Sequence, residues 1–231
     1  KLTIMNKIKL ILFLLLWFPL KNSFAVNVGN ITEIISSDES TLAKEIENTV
    51  NTARLVNLTI EKLDSPLENG KVIPVTDPNE ILSTPANLIL PGHASDVFKI
   101  IYQGPKDDKE RYYRLNWKDD PIAENGITQS SKSATATTSA TISTILVVAP
   151  RIENFNYQYH DNKVSNIGNS SFRVVASGPC LAEKQQYGVE GMCRERYYLM
   201  PHLAVKLQLV DLTNKKSSVG IWHKGEFIVV K

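Results

Sequence analysis

From Ala53 to Leu63 the chain reads ARLVNLTIEKL, with Val56, Leu58 and Ile60 on one side of the alternation and Asn57, Thr59 and Glu61 on the other. A period of two places one face of a strand in a core and the other in water. Nowhere does a convincing helical period run for a helix's length, so the chain is constrained to fold as sheets. The segment Glu39 to Glu47 is the one place where both periods compete. Leu42 and Ile46 lie four apart, but the residues alternate equally well, and a strand is expected there. Val97 to Tyr102 reads as a short buried strand, and Glu110 to Trp117 points Tyr113, Leu115 and Trp117 inward. Pro85 and Pro91 punctuate the run between Leu82 and Leu90. Beyond Ile152 the short alternations are Phe155 to Tyr159, Phe172 to Ala176, Tyr197 to Met200, Leu203 to Leu209, Gly220 to Trp222 and Phe227 to Val230. His160, Asp161 and Asn162, then Lys224 and Gly225, supply turns among them. Many short strands with turn residues between them are the signature of β-sandwich modules, and the length suits two of about 100 residues each.

The N-terminal 25 residues carry Lys7 and Lys9, an apolar run from Leu10 to Leu20, and Ser23, Phe24 and Ala25. The apolar run is too short to cross a hydrocarbon core of ~30 Å, and a small residue on either side of Phe24 marks a cleavage site after Ala25, as in a secretory signal. Removing the segment takes away Lys1, Lys7, Lys9 and Lys21. It leaves 22 basic against 24 acidic residues, so no polybasic signal for nucleic acid or a membrane surface remains. Export also bears on Cys180 and Cys193, the only two cysteines. In an oxidising compartment a disulfide between them is the default, and a redox or zinc role lacks the usual spacing.

The tract from Ser133 to Arg151, SATATTSATISTILVVAPR, holds a different kind of information. Its even positions, Ala134, Ala136, Thr138, Ala140 and Ile142, make a weakly apolar face, and the odd positions carry hydroxyls. From Thr144 the alternation stops, and Ile145 to Val148 are apolar on both sides, as where a strand enters a two-sheet core. Pro150 then ends the pairing. By composition a Ser/Thr/Ala tract fits a flexible linker as well as a strand. The apolar continuation and the absence of Gly and Pro from Ile127 to Ala149 favour one long strand, with a free end that can add to another protein's sheet.

Enzyme chemistry finds no support. His93, His160, His202 and His223 have no metal-ligand spacing, and no nucleophile elbow, phosphate loop or dinucleotide fingerprint is present. The acid pairs Asp107–Asp108 and Asp119–Asp120 sit in polar loops and read as solvated surface. No cofactor or metal is expected.

The run TPANLILPGHASDVFKIIYQGPKDDKERYYRLNW resembles the corresponding region of periplasmic pilus chaperones. RLVNL at Arg54, LVVAPR at Leu146 to Arg151, GPC at Gly178 and YYLMP at Tyr197 to Pro201 narrow the resemblance to the common-pilus chaperones of the alternate chaperone-usher branch. It implies an all-β molecule of two immunoglobulin-like sandwiches in an L-shaped, PapD-like arrangement, one over 26–150 and one over 151–231. It also implies pilin subunits and an outer-membrane usher as partners, with no stable membrane anchor. The strand at 133–149, through Ala134, Ala136, Thr138, Ala140 and Ile142, would be lent to an incomplete pilin. A long free edge is also compatible with a self-capping dimer. Pilus chaperones hold the subunit's terminal carboxylate with two basic residues between the domains, and this chain departs from that pattern. The stretch Val28 to Ser36 has only Glu33 as a charge, and the last-strand position falls near Ile145. The resemblance therefore leaves the anchor to Arg54, expected at the cleft end of its strand, then to Arg151 at the bend, then to Arg114; an internal salt bridge is the competing role for each. A second reading, that the chain is itself a pilin or adhesin, fits less well, because the long strand lies mid-chain and is followed by another module.

Overall fold

The computed structural model describes residues 25–122 and 138–231. The N-terminal segment expected to be a signal lies almost wholly outside these residues, as do Ala134 and Ala136. The first strands are β1 (Val26–Asn27), β2 (Thr32–Ile35), β3 (Thr41–Asn48), β4 (Arg54–Leu63) and β5 (Val72–Ile73). They are followed by β6 (Ile81–Thr84), β7 (Asn87–Leu90), β8 (Ser95–Tyr102), β9 (Arg111–Pro121) and β10 (Ala140–Val148). After the bend come β11 (Tyr157–His160), β12 (Lys163–Asn166), β13 (Phe172–Pro179) and β14 (Met192–Leu199). The last three are β15 (Ala204–Lys206), β16 (Ser218–His223) and β17 (Glu226–Val229), and the one described helix is a 3-10 segment at Ala182–Tyr187.

The strands up to β10 form two facing sheets, one ordered β1-β3-β8-β6 and the other β2-β10-β9-β4-β5 with β7 also on β4. Trp117, Tyr113, Phe98, Ile35, Ile46, Ile100, Leu115 and Leu146 fill the space between them and are all fully buried. Phe98 and Trp117 meet edge to face, their centroids 5.2 Å apart. The strands from β11 on form sheets ordered β11-β12-β15 and β14-β13-β16-β17, closed over Phe172, Val174, Ala176, Leu199, Val219 and Ile221. Cys180 and Cys193 are bonded inside this second core. Two hairpins show why their turn residues were readable. Asp161 and Asn162 have φ of 51° and 59°, and Lys224 and Gly225 have 48° and 75°, the paired positive values that match the twist of the flanking strands.

The sequence expectations depart from the structure at several ends. Of the expected strand Glu39 to Glu47, pairing begins only at Thr41 and runs on to Asn48, as β3. Lys163–Asn166 forms a strand that its sequence does not announce, because only Val164 of its four residues is apolar. The pairing in Leu203 to Leu209 covers only Ala204–Lys206. Beyond it, the backbone amides of Gln208, Leu209 and Val210 donate to the buried Glu195 carboxylate at 2.7 to 3.0 Å, which takes the place of a ladder.

The two sandwiches meet over a small apolar cluster. Leu63, Tyr112, Val147 and Ile145 from the first pack with Tyr198 and Met200 from the second. Two carboxylates fix the rest of the boundary. Glu110 accepts the backbone amide and the hydroxyl of Ser171, both at 2.6 Å, and the Tyr112 hydroxyl at 2.7 Å. Glu153 accepts from Ser37 at 2.9 Å and pairs with Lys224 at 2.7 Å and His223 at 3.1 Å.

Candidate functional site

β10 is antiparallel to β9 along its whole length, Ala140 opposite Asp119 and Val148 opposite Arg111. On its other edge it is parallel to β2, but only from Ile145, opposite Thr32, to Val148, opposite Ile35. Ala140 to Thr144 therefore present one edge that pairs with no described strand. Along this stretch Ala140 and Ile142 turn inward, and Ile142 packs on the first core. Thr144 is buried and accepts the Trp117 indole N–H at 3.0 Å. The hydroxyls of Thr141 and Ser143 are exposed. Thr138 is exposed ahead of the strand, and its carbonyl accepts Arg54 Nη2 at 3.0 Å.

The three arginines singled out in the sequence are not brought together. Arg54 faces inward, but it lies opposite Pro121, whereas Leu63 at the other end of β4 joins the inter-domain cluster. At ~3.3 Å per residue the two ends of β4 are about 30 Å apart. The expectation that Arg54 stands at the cleft is corrected by this register. Its guanidinium, 4% exposed, donates Nε to Asp119 at 2.6 Å, an internal ion pair. Arg151 does lie at the bend. It donates to the carbonyls of Ala149, Ile35 and Glu39, and stacks 5.4 Å over the Tyr102 ring. Burial lowers its pKa, offset in part by Tyr102, Asp38 and Glu153. Arg114 is better placed than its rank implied. It lies opposite Ile145 on one side and Glu61 on the other, so Thr32, Ile145, Arg114 and Glu61 form one transverse row on the outward face. Its one ion pair among the described residues, to Glu61, is 3.3 Å long and about a third exposed.

Two groups that the sequence did not mark also belong here. Lys44, 3% exposed, donates to the Asn30 carbonyl at 2.6 Å and pairs with Glu33 at 2.9 Å, beside the point where β2 begins. It is compensated. Its inward phase in β3, in step with Ile46 and Asn48, was the available signal. Tyr198 covers Ile145 and Val147 from the second domain, and its hydroxyl is buried without a hydrogen-bond partner among the described residues. Among the described residues no group of His, Cys, Asp and Glu side chains could hold a metal ion.

The arrangement is that of a two-sandwich protein with an open strand edge leading to an inter-domain cleft. A solved class 5 fimbriae chaperone, CfaA, shares the fold with a TM-score of 0.52 at 13% identity, covering 88% of this chain and 97% of that one. The family model described as the EcpB C-terminal domain matches residues 155–230. The probable fimbrial chaperone EcpB of Klebsiella pneumoniae (strain 342) is 46% identical over 207 residues, 90% of this chain and 91% of that protein. The probable fimbrial chaperone EcpB of Escherichia coli O157:H7 is 44% identical over 222 residues, 96% of this chain and 98% of its own. The chain belongs to the EcpB family of fimbrial chaperones, a family of assembly factors and not of enzymes.

Proposed function

We propose that the chain stabilises pilin subunits in the periplasm by donor-strand complementation and hands them to an outer-membrane usher. The observation that carries this is the half-covered edge of β10. Its backbone groups at Ala140 to Thr144 are ready to pair with an added strand, while β9 holds the other edge rigid. The donor face is Ala140 and Ile142; in the sequence the same alternation runs back through Thr138 to Ala136 and Ala134, the last two outside the described residues. The N-terminal segment to Ala25 acts as the export signal, and the domain division falls at Pro150 and Arg151. An added strand parallel to β10 must stop where β2 occupies the edge, at the row Thr32–Ile145–Arg114. Of the three candidate arginines, Arg114 is therefore the first choice for the subunit's terminal carboxylate. Arg151 is second, with most of its donors already engaged by carbonyls. Arg54 acts instead through Asp119, at the base of the β9–β10 hairpin.

The test is co-expression of the exported chain with a pilin subunit of its own pilus system. The expected result is a soluble one-to-one complex in which the subunit survives protease. A subunit that aggregates or is degraded to the same extent with and without the chain would overturn the reading.

A further inference from the structure

Several loops meet at the end of the second sandwich that faces away from the first. The backbone amide of Leu207 donates to Asn162 in the β11–β12 turn, that of Leu181 donates to Leu209, and that of Asp211 donates to Pro179. The hairpin turn, the disulfide loop and the loop after Val210 are thereby tied to the one stretch from Leu207 to Asp211. β13 starts beside Ser171, which is bonded to Glu110 of the first sandwich, and ends at Pro179. At ~3.3 Å per residue this end lies about 25 Å from the inter-domain boundary. The loop between Cys180 and Cys193 is held in one shape here. The disulfide closes it, Gln185 Nε2 donates to the Cys180 carbonyl at 3.2 Å, and Val189 and Met192 exchange backbone hydrogen bonds of 3.0 and 2.9 Å. Yet this fixed loop turns apolar groups to solvent, Tyr187 being 63%, Val189 77% and Met192 50% exposed.

Cations share this end with the three apolar side chains. Lys184 lies 5.8 Å over the Tyr187 ring, and Arg194 follows Met192 on the outward face of β14. Lys163 and Lys206 are exposed and directly opposite one another, an arrangement in which like charges repel, and Lys215 and Lys216 are exposed on the loop after Val210. None of these six has an ion-pair partner among the described residues. No run of cations marks the place in the sequence, because they come from separate segments. Of the acids at this end, Asp161 pairs with His160 at 2.9 Å and Asp211 accepts from the Thr213 hydroxyl at 2.6 Å, while Glu183 and Glu190 are exposed on the disulfide loop. Apolar groups that protrude from a loop suit a soft surface better than a protein groove. Lysine stems are long enough to reach headgroup phosphates while the apolar groups sit deeper, and a tyrosine ring is amphipathic in the way that depth requires. We propose that the distal end of the second sandwich docks on a phospholipid surface that carries anionic headgroups, with Tyr187, Val189 and Met192 entering the headgroup region and the surrounding cations resting on the phosphates. This goes beyond the chaperone reading and does not depend on it. The contact is peripheral and reversible, since three apolar side chains make a small anchor and, among the described residues, no helix is long and apolar enough to cross a membrane. Docked by this end, the chain keeps the open edge of β10 clear of the lipid.

The experiment sediments the full exported chain with vesicles of phosphatidylethanolamine containing phosphatidylglycerol, and in parallel with vesicles of phosphatidylcholine alone, at low and at high salt. Binding is expected on the anionic vesicles at low salt, falling steeply as salt screens the headgroups, and none is expected on the neutral ones. Tyr187→Ser combined with Val189→Ser removes inserted groups, and Lys215→Glu combined with Lys216→Glu reverses two charges; each pair should weaken binding about tenfold. Glu190→Gln should strengthen it, because it takes a negative charge away from the headgroups. Lys99→Glu, at an exposed position of β8 on the first sandwich, should change it little. Circular dichroism and melting of each variant confirm that it is folded. The proposal is overturned if the wild type stays in the supernatant with both kinds of vesicle, or if it sediments equally with both. It is also overturned if either folded pair of substitutions binds as the wild type does, or if Lys99→Glu weakens binding as much as the lysine pair. Absence of lipid binding, together with loss of a co-expressed subunit by the same variants, would assign the surface to a protein partner instead.

Discussion

At the scale of single residues, burial decides what an arginine can do. Arg54 and Asp119 are 4% and 2% exposed and form an ion pair 2.6 Å long. Removing one member of such a pair leaves the other charged and desolvated. Arg54→Ala should therefore cost about 3–5 kcal/mol of stability, read as a shift of the urea unfolding midpoint, while any of the variant that folds still binds a subunit. Loss of subunit binding with unchanged stability would show that the pair is not structural. The sequence placed Arg54 on the inward face correctly, since its phase with Val56 and Leu58 is local information. It could not say which end of β4 meets the second domain, because strand direction is set by the pairing of Leu63 with Tyr112, a contact between residues far apart in the chain. Arg114 suffered the opposite fate. Its value comes from lying beside Ile145, and that neighbour is visible only once β9 and β10 are paired.

At the scale of the element, β10 has two lives along one strand. From Ile145 to Val148 it is flanked on both edges, and Leu146, Val147 and Val148 are buried. From Ala140 to Thr144 it has one neighbour. On the proposed reading the donor side chains other than Ile142 are small, so each of these would forgo part of the roughly 1.5–3 kcal/mol that a buried large aliphatic group contributes. More of the hold would then rest on backbone hydrogen bonds, and a pilin extension with bulkier residues would displace the strand without a nucleotide. Ala140→Asp would force a carboxylate without a partner into the inward face and should abolish subunit protection in a protease assay. Thr141→Asp points outward and should be much milder. Equal behaviour of the two folded variants would refute the phase of the donor face. This phase was legible from the sequence, because alternation and the switch at Thr144 to continuous apolar residues are both periodic signals. What the sequence could not show is β2, whose parallel pairing ends the open edge; nothing in TEII distinguishes a strand that pairs β10 from one that pairs β3.

At the scale of the whole molecule, the relative placement of the sandwiches depends on titratable groups. Burial lowers the pKa of His223 below its ordinary 6.5, a nearby Lys224 adds to this, and the Glu153 carboxylate offsets only part. For Glu153 burial raises the pKa, but hydrogen bonds from Lys224, Ser170 and Ser37 outweigh it, and the net value lies below 4.5. Both groups bind fewer protons folded than unfolded, so each contributes stability that is lost as the pH falls, His223 from about 6.5 and Glu153 from about 4.5. Glu110, raised by burial, works in the opposite sense. The urea midpoint should accordingly fall between pH 7.5 and 5.5, and His223→Gln should flatten that fall; an unchanged slope in the variant would assign the dependence elsewhere. The start of β2 carries a consequence of another kind. Because it blocks the edge of β10 at a fixed residue, it would, on the proposed reading, work as an end-stop, and every subunit that slides along the edge would be measured from its own last residue. Subunits of quite different sequence would then be held in the same alignment, counted back from the terminus, and lengthening one by a single residue would shift its whole strand by one place and turn its side chains to the wrong face.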